Sequence, residues 1–185
     1  MELNQVDKMM METAKLWSNM SKCKRHKVGA VISKDSRIIS IGYNGNPSGH
    51  KPIKKEVKCE LCNGTGKLEV MNELPLDDVY GFSQNDICPK CGGVGNILIE
   101  KDECENDDNI TINSVIHAEA NAILFCAKNG ISTEGTTLYV TMSPCYECSK
   151  MIVQSGIKRV VYSYEYRDTT SIDFLKECDI DVVKL

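Results

Sequence analysis

Apolar residues first recur at helical spacing over 3–20, at Val6, Met9, Met10, Leu16, Trp17 and Met20 with Thr13 among them. They predict an amphipathic helix whose methionines fill core. Two β-rich runs follow, VGAVIS and RIISIGY, joined by KDS, which predicts a hairpin. GYNGNPSGH closes it in a tight loop rich in glycine and asparagine. A second helical pattern (Val115, Ile116, Ala120, Ile123, Leu124, Ala127) runs through SVIHAEANAILFCAKNG to a stop at Gly130. TTLYVTM predicts a strand, SKMIVQSGI a helix ended by Gly156, and KRVVYSYEYRD a strand and loop. TTSIDFLKECDI predicts a last helix and DIDVVKL a terminal strand. The order α-β-β-α-β-α-β-α-β predicts an α/β fold, a five-stranded mixed sheet with helices on both faces. Cys126 and Cys178 fall in apolar helices and are expected in the core.

Residues 51–110 break this rhythm. KCELCNGTGKLEV and DICPKCGGVGNILIE each hold CxxC, a glycine-rich xGxG and then a β-rich run, which makes an internal repeat. Cys59, Cys62, Cys88 and Cys91 can give four thiolates to one structural zinc. The 25 residues at positions 63–87 slightly exceed the usual ribbon spacing. KDECENDDNIT closes the insert as an acidic, flexible return. The expected organisation is one domain over 1–185 carrying a zinc-knuckle insertion at 51–110.

Composition narrows the setting. An apolar fraction of 42% in 185 residues supports a real core. A net charge of −4 leaves no basic footprint for gripping a nucleic acid polymer. The start MELNQVDKMMMETAKLW has no apolar signal core, and no run reaches membrane-span length, so a cytoplasmic protein without membrane contact is expected. In that setting the ten cysteines read as metal ligands rather than disulfides.

The chemistry concentrates in HAEAN and SPCYEC. His117, Cys145 and Cys148 suit zinc, and three protein ligands leave the fourth position of a catalytic site to water. Cys145 and Cys148 are three apart, on one face of a first helical turn whose positive end favours thiolates. Glu119 lies about 200° around the helix from His117. Near the first turn both still border one cavity, so Glu119 neighbours the metal rather than ligating it. Other residues leave alternatives open. Lys22, Lys24, Arg25, His26 and Lys27 form either a solvated edge or a phosphate site. Asn44 is either a turn residue or a hydrogen-bond partner for a sugar hydroxyl. Cys23, His50 and Cys104 are a third possible zinc set that lacks a fourth ligand; otherwise Cys104 is a solvated loop residue.

H-x-E with P-C-x-x-C is the signature of zinc nucleobase deaminases. Together with CKRHKVGAVI, RIISIGYNGNPSG, HAEANAI, TLYVTMSPCYECSKMIVQSGIKRVVY and YRD, it makes the chain resemble the deoxycytidylate deaminases of the cytidine deaminase superfamily. The resemblance covers 18–50 and 111–185. It implies a three-layer α/β/α cytidine-deaminase-like fold and hydrolysis of dCMP to dUMP and ammonia for thymidylate synthesis. It implies a catalytic zinc on His117, Cys145 and Cys148, with Glu119 shuttling the proton. By the same resemblance Asn44 binds the sugar, Tyr166 packs near the nucleotide, and Arg25 and Lys27 handle phosphate or effector. Tyr43 and Gly45 are placed for an effector, and Cys23 and His50 match ligands of a further zinc found in some relatives. Many relatives form homohexamers activated by dCTP and inhibited by dTTP with Mg2+, and the resemblance implies the same here. The insert departs from that pattern; its knuckles look locally like the zinc repeats of DnaJ-type chaperones.

Two other readings compete. One is a tRNA deaminase of the same superfamily, against which GYNGNP, YRD and the acidic charge argue. The other is a zinc-ribbon binding module with an inactive deaminase-like part, which would have no need of Glu119.

Overall fold

The computed structural model describes residues 4–51, 53–67, 87–101, 104–105 and 110–185. Its elements in chain order are α1 (Gln5–Ser18), β1 (Gly29–Lys34), β2 (Arg37–Tyr43), β3 (Ile53–Lys58), β4 (Asn96–Lys101), α2 (Ala118–Lys128), β5 (Thr137–Met142), α3 (Tyr146–Gln154), β6 (Arg159–Tyr164), α4 (Thr170–Glu177) and β7 (Asp181–Lys184). The chain divides into two compact units, Met1–His50 with Glu103–Leu185, and Lys51–Asp102. The acidic return expected within the insert therefore belongs, from Glu103 on, to the first unit; of it, residues 102, 103 and 106–109 lie outside the described residues.

The first unit holds a five-stranded sheet in the order β2-β1-β5-β6-β7. β1 runs antiparallel to β2 and to β5, while β6 runs parallel to β5 and β7. The β1–β2 turn is two residues, Asp35 and Ser36, both at positive φ (49° and 61°). That turn follows the right-handed strand twist. The parallel half follows from connection length, because α3 and α4 each return the chain to the same end of the sheet.

Side-chain alternation sorts the core into two layers. Ala30, Ile32, Leu138, Val140, Val160 and Tyr162 face the side that also holds residues of α2, α3 and α4. Val31, Tyr139 and Val161 face Met10, Met11 and Ala14 of α1. The methionine expectation holds for Met10 and Met11, while Met9 and Met20 are exposed. Cys126 is buried as expected; Cys178 is only half-buried.

Two glycines set how closely the helices approach. A Cβ on Gly29 would lie 2.0 Å from the Ala14 carbonyl oxygen of α1. One on Gly42 would lie 2.2 Å from the Ala118 carbonyl oxygen, in the first turn of α2. α1 is also pinned by charge. Asp7, 1% exposed, closes a capping box with Asn4. Its carboxylate accepts from Arg159 Nη1 at 2.6 Å and Nη2 at 3.1 Å, and from the Tyr139 hydroxyl at 2.9 Å. The guanidinium holds the Asp7 carboxyl below the usual carboxylate range, against the opposing effect of burial.

The second unit pairs β3 with β4, antiparallel from Ile53↔Lys101 to Lys58↔Asn96. β4 is the expected run after the second knuckle, whereas β3 precedes the first knuckle. The run expected after that one, through Val70, lies outside the described residues beyond Lys67. Between the strands the two CxxCxGxG loops meet reciprocally. Cys59 N–H donates to the Gly95 carbonyl at 2.8 Å, and Cys88 N–H to the Gly66 carbonyl at 2.9 Å. Gly66 (φ +77°) packs on the Gly93 carbonyl, and Gly95 (φ +85°) on the Gly64 carbonyl. Each of these contacts recurs with the two loops exchanged, so the loops are related by a local two-fold.

Candidate active site

Two helix beginnings build the site. His117 is the N-cap of α2 and Cys145 the N-cap of α3, both with extended backbone and neither spending its side chain on a cap hydrogen bond. Pro144, just before, suits a strand that must end and turn. Cys148 lies in the first turn of α3, as the spacing predicted. His117 Nδ1 lies 3.5 Å from Cys145 Sγ and 3.4 Å from Cys148 Sγ, and the three ligand atoms fall within 4.8 Å of one another. Tetrahedral zinc, with bonds of about 2.05 Å to nitrogen and 2.3 Å to sulfur, puts such atoms about 3.5 Å apart. The donor set therefore fits zinc in chemistry and in spacing.

The electrostatics agree. A hydrogen bond from Cys148 pulls the Cys145 thiol down to about 4, with His117 helping and burial opposing. Cys148 shifts the other way, because the same bond and its burial favour its protonated form. The bond to Cys145 raises the His117 imidazole despite partial burial. A divalent metal bound by both sulfurs favours the ionised form of each. Glu119, 4% exposed, borders them, and burial pushes its carboxyl up to about 7 while the His117 charge pulls it back.

A cleft of about 630 Å³, part of it open to solvent, lies over this set. Of the residues expected near substrate, Arg25, Asn44 and Tyr166 line it with His117, Glu119 and Cys145. Lys27 does not; nor do Tyr43 and Gly45, which were expected at an effector and not at the substrate. Tyr43 stacks on Trp17 at 6.4 Å, and Gly45 exchanges backbone hydrogen bonds with Ile116, which anchors the segment leading to His117. Asn44 does structural work as well: Oδ1 accepts from Val28 N–H at 2.8 Å, and Nδ2 donates to the His26 carbonyl at 2.8 Å. One N–H and one lone pair of its carboxamide stay out of those two bonds. Tyr166 is held where its N–H donates to Ser143 Oγ at 2.7 Å, and Arg167 lies over its ring at 5.6 Å.

The further zinc set is corrected. Cys23 and Cys104 are joined in a disulfide, so neither offers a thiolate, and both are buried, which also removes the solvated-loop reading of Cys104. His50 is exposed and joins no metal-ligating group among the described residues. The bond draws in a residue without any sequence signal. Glu105, 7% exposed, accepts three hydrogen bonds at 3.1 Å from the backbone N–H groups of Lys24 and Arg25, and it lines the cleft.

A histidine and two cysteines at converging helix starts, with a buried carboxylate beside them on an α/β/α sandwich, define a metal-activated hydrolytic site. The sequence profile of the "Cytidine and deoxycytidylate deaminase zinc-binding region" matches residues 4–164, and the chain belongs to that family. It is 39% identical over 174 residues to the deoxycytidylate deaminase of Enterobacteria phage T4, covering 93% of this chain and 86% of that one. It is 35% identical over 145 residues to that of Mycobacterium phage D29, covering 78% and 84%. The crystal structure of dCMP deaminase from the cyanophage S-TIM5 in complex with dCMP and dUMP superposes with a TM-score of 0.69 at 33% identity, over 100% of both chains. Among the described residues no helix is long and apolar enough to cross a membrane.

Proposed function

We propose that this protein hydrolyses dCMP to dUMP and ammonia, feeding thymidylate synthesis. The observation that carries the reading is the buried Glu119 carboxyl beside the His117, Cys145 and Cys148 set in one cleft. His117, Cys145 and Cys148 would hold zinc, which would supply the Lewis acidity that makes water a nucleophile near neutral pH. Glu119 takes the proton that water gives up and passes protons to N3 and to the departing amine of the base. Burial raises the Glu119 carboxyl toward the working pH, the direction that suits transfer both ways. Asn44 offers its remaining N–H and lone pair to the sugar, Tyr166 a wall for the nucleotide, and Arg25 a cation at the mouth for the phosphate. Lys27 stands beside Arg25 in the chain and adds to the same field.

The relatives' names support dCMP as substrate. The family resemblance supports activation by dCTP, inhibition by dTTP with Mg2+, a homohexamer, and effector contacts at Tyr43 and Gly45. The test compares ammonia release from dCMP, cytidine, dCTP and tRNA. dCMP is expected to be turned over fastest, and Glu119→Gln to keep zinc and dCMP binding while losing about 10²–10⁴-fold in kcat. Equal turnover of tRNA, or a fully active Glu119→Gln, sinks the reading.

A further inference from the structure

The described residues of the second unit form no ordinary hydrophobic core. Among its described residues the fully buried ones are Cys59, Cys62 and Cys88 with Gly66 and Gly95; Cys91 and Ile97 pack half-buried against the cysteines. Its larger apolar residues face outward: Leu61, Ile87, Val94 and Leu98 are 53–73% exposed. A two-stranded ribbon is marginal alone in water, and a unit this small usually needs a disulfide or a metal. These four cysteines are unbridged.

Their sulfurs gather instead. Cys59 Sγ lies 3.7 Å from Cys88 Sγ, Cys62 Sγ lies 3.6 Å from Cys91 Sγ, and all four fall within 4.8 Å of one another. A zinc tetrahedron with bonds of about 2.3 Å has sulfur–sulfur edges of about 3.8 Å. A backbone donor points at one of the sulfurs, as around metal thiolates. Gly95 N–H donates to Cys91 Sγ at 3.3 Å. No imidazole or carboxylate belongs to the group among the described residues, so it has no spare base and no open position.

We infer that Cys59, Cys62, Cys88 and Cys91 hold one Zn2+ as a closed structural site, and that the two knuckles of Lys51–Asp102 fold around this metal. Each knuckle gives one sulfur to each short pair, so the local two-fold passes through the metal. The glycine interlock of Gly64 and Gly66 with Gly93 and Gly95 lets the loops approach closely enough for four sulfurs to share one ion.

The test uses the full chain. Elemental analysis is expected to give about two zinc per chain, falling to about one in Cys62→Ser/Cys91→Ser and, independently, to about one in Cys145→Ser. Replacement by 113Cd is expected to give two resonances, with the one further downfield, from four sulfurs, missing only in the Cys62→Ser/Cys91→Ser protein. Hydrogen exchange in that variant is expected to quicken within 51–102 and not in the sheet of the first unit. A wild-type chain that holds one zinc, lost in Cys145→Ser, with all four insert thiols open to alkylation, overturns the proposal. So does an intact mass showing two further disulfides. Since the readout is metal content, the outcome is separable from whether dCMP is the substrate.

Discussion

Glu105 shows how one residue shapes a cleft it does not act in. Its carboxylate fixes the backbone of Lys24 and Arg25, and Arg25 borders the cleft. Hydrogen bonds to a charged group are worth about 1.5–3 kcal/mol each in proteins, so releasing this set frees the loop. Glu105→Ala is expected to raise KM for dCMP about tenfold, equivalent to about 1.4 kcal/mol, with little change in kcat. Glu105→Gln, which keeps one acceptor, is expected to fall between, and steady-state kinetics on the three proteins check the order. An equal fall in kcat for both variants would show that Glu105 acts on the chemical step instead.

Between elements, the site depends on how deeply α2 sits on the sheet. Gly42 lets the Ala118 backbone rest on β2, one residue beyond His117 and one before Glu119. A methyl group there meets backbone, which cannot swing aside as a side chain can. Gly42→Ala is expected to cost about 1–3 kcal/mol of stability and to lower kcat, through a shift of His117 and Glu119 together. Thermal unfolding and kinetics on the same samples check both; an unchanged kcat in a destabilised protein would place the catalytic pair elsewhere than on this contact. Gly29 faces α1 in the same way but carries no functional side chain, so it serves as the control.

At the scale of the molecule, the Asp7–Arg159–Tyr139 group ties the first helix to the middle of the sheet. The Asp7 carboxyl is depressed in the folded chain, against about 3.9 when unfolded. Its contribution is therefore fully present above about pH 4 and fades as pH falls through the lower, folded value. Asp7→Asn leaves the half-buried Arg159 guanidinium with only the more exposed Asp181, 3.1 Å from its Nε, and is expected to cost about 1–3 kcal/mol at neutral pH. In urea titrations the gap between wild type and variant is expected to narrow below about pH 4; a gap that stays constant from pH 7 to 3 would remove this account.

Local signals made much of this legible. Helical spacing and β-rich runs marked α1 to α4 and the five sheet strands, and HAE with PCxxC marked the metal set. The missing pieces join distant segments. β3, read as IKKEVK, has no alternation to announce it and exists because β4 pairs with it. Cys23 and Cys104 are 81 residues apart, and nothing near either cysteine predicts the other. Glu105 looked like one more acid in a solvated run, since its amide partners lie about 80 positions earlier.

The two-fold of the insert bears on the one spacing that looked irregular. If equivalent atoms of two loops define the metal site, its geometry does not depend on how many residues join them. Its closure entropy grows only with the logarithm of its length, about 0.6 kcal/mol per doubling. Twenty-five residues between the cysteine pairs then carry no more structural instruction than fifteen would. Outside Gly64 and Gly66 its length is free to drift, while Cys59, Gly64 and Gly66 of one loop are held by Cys88, Gly93 and Gly95 of the other.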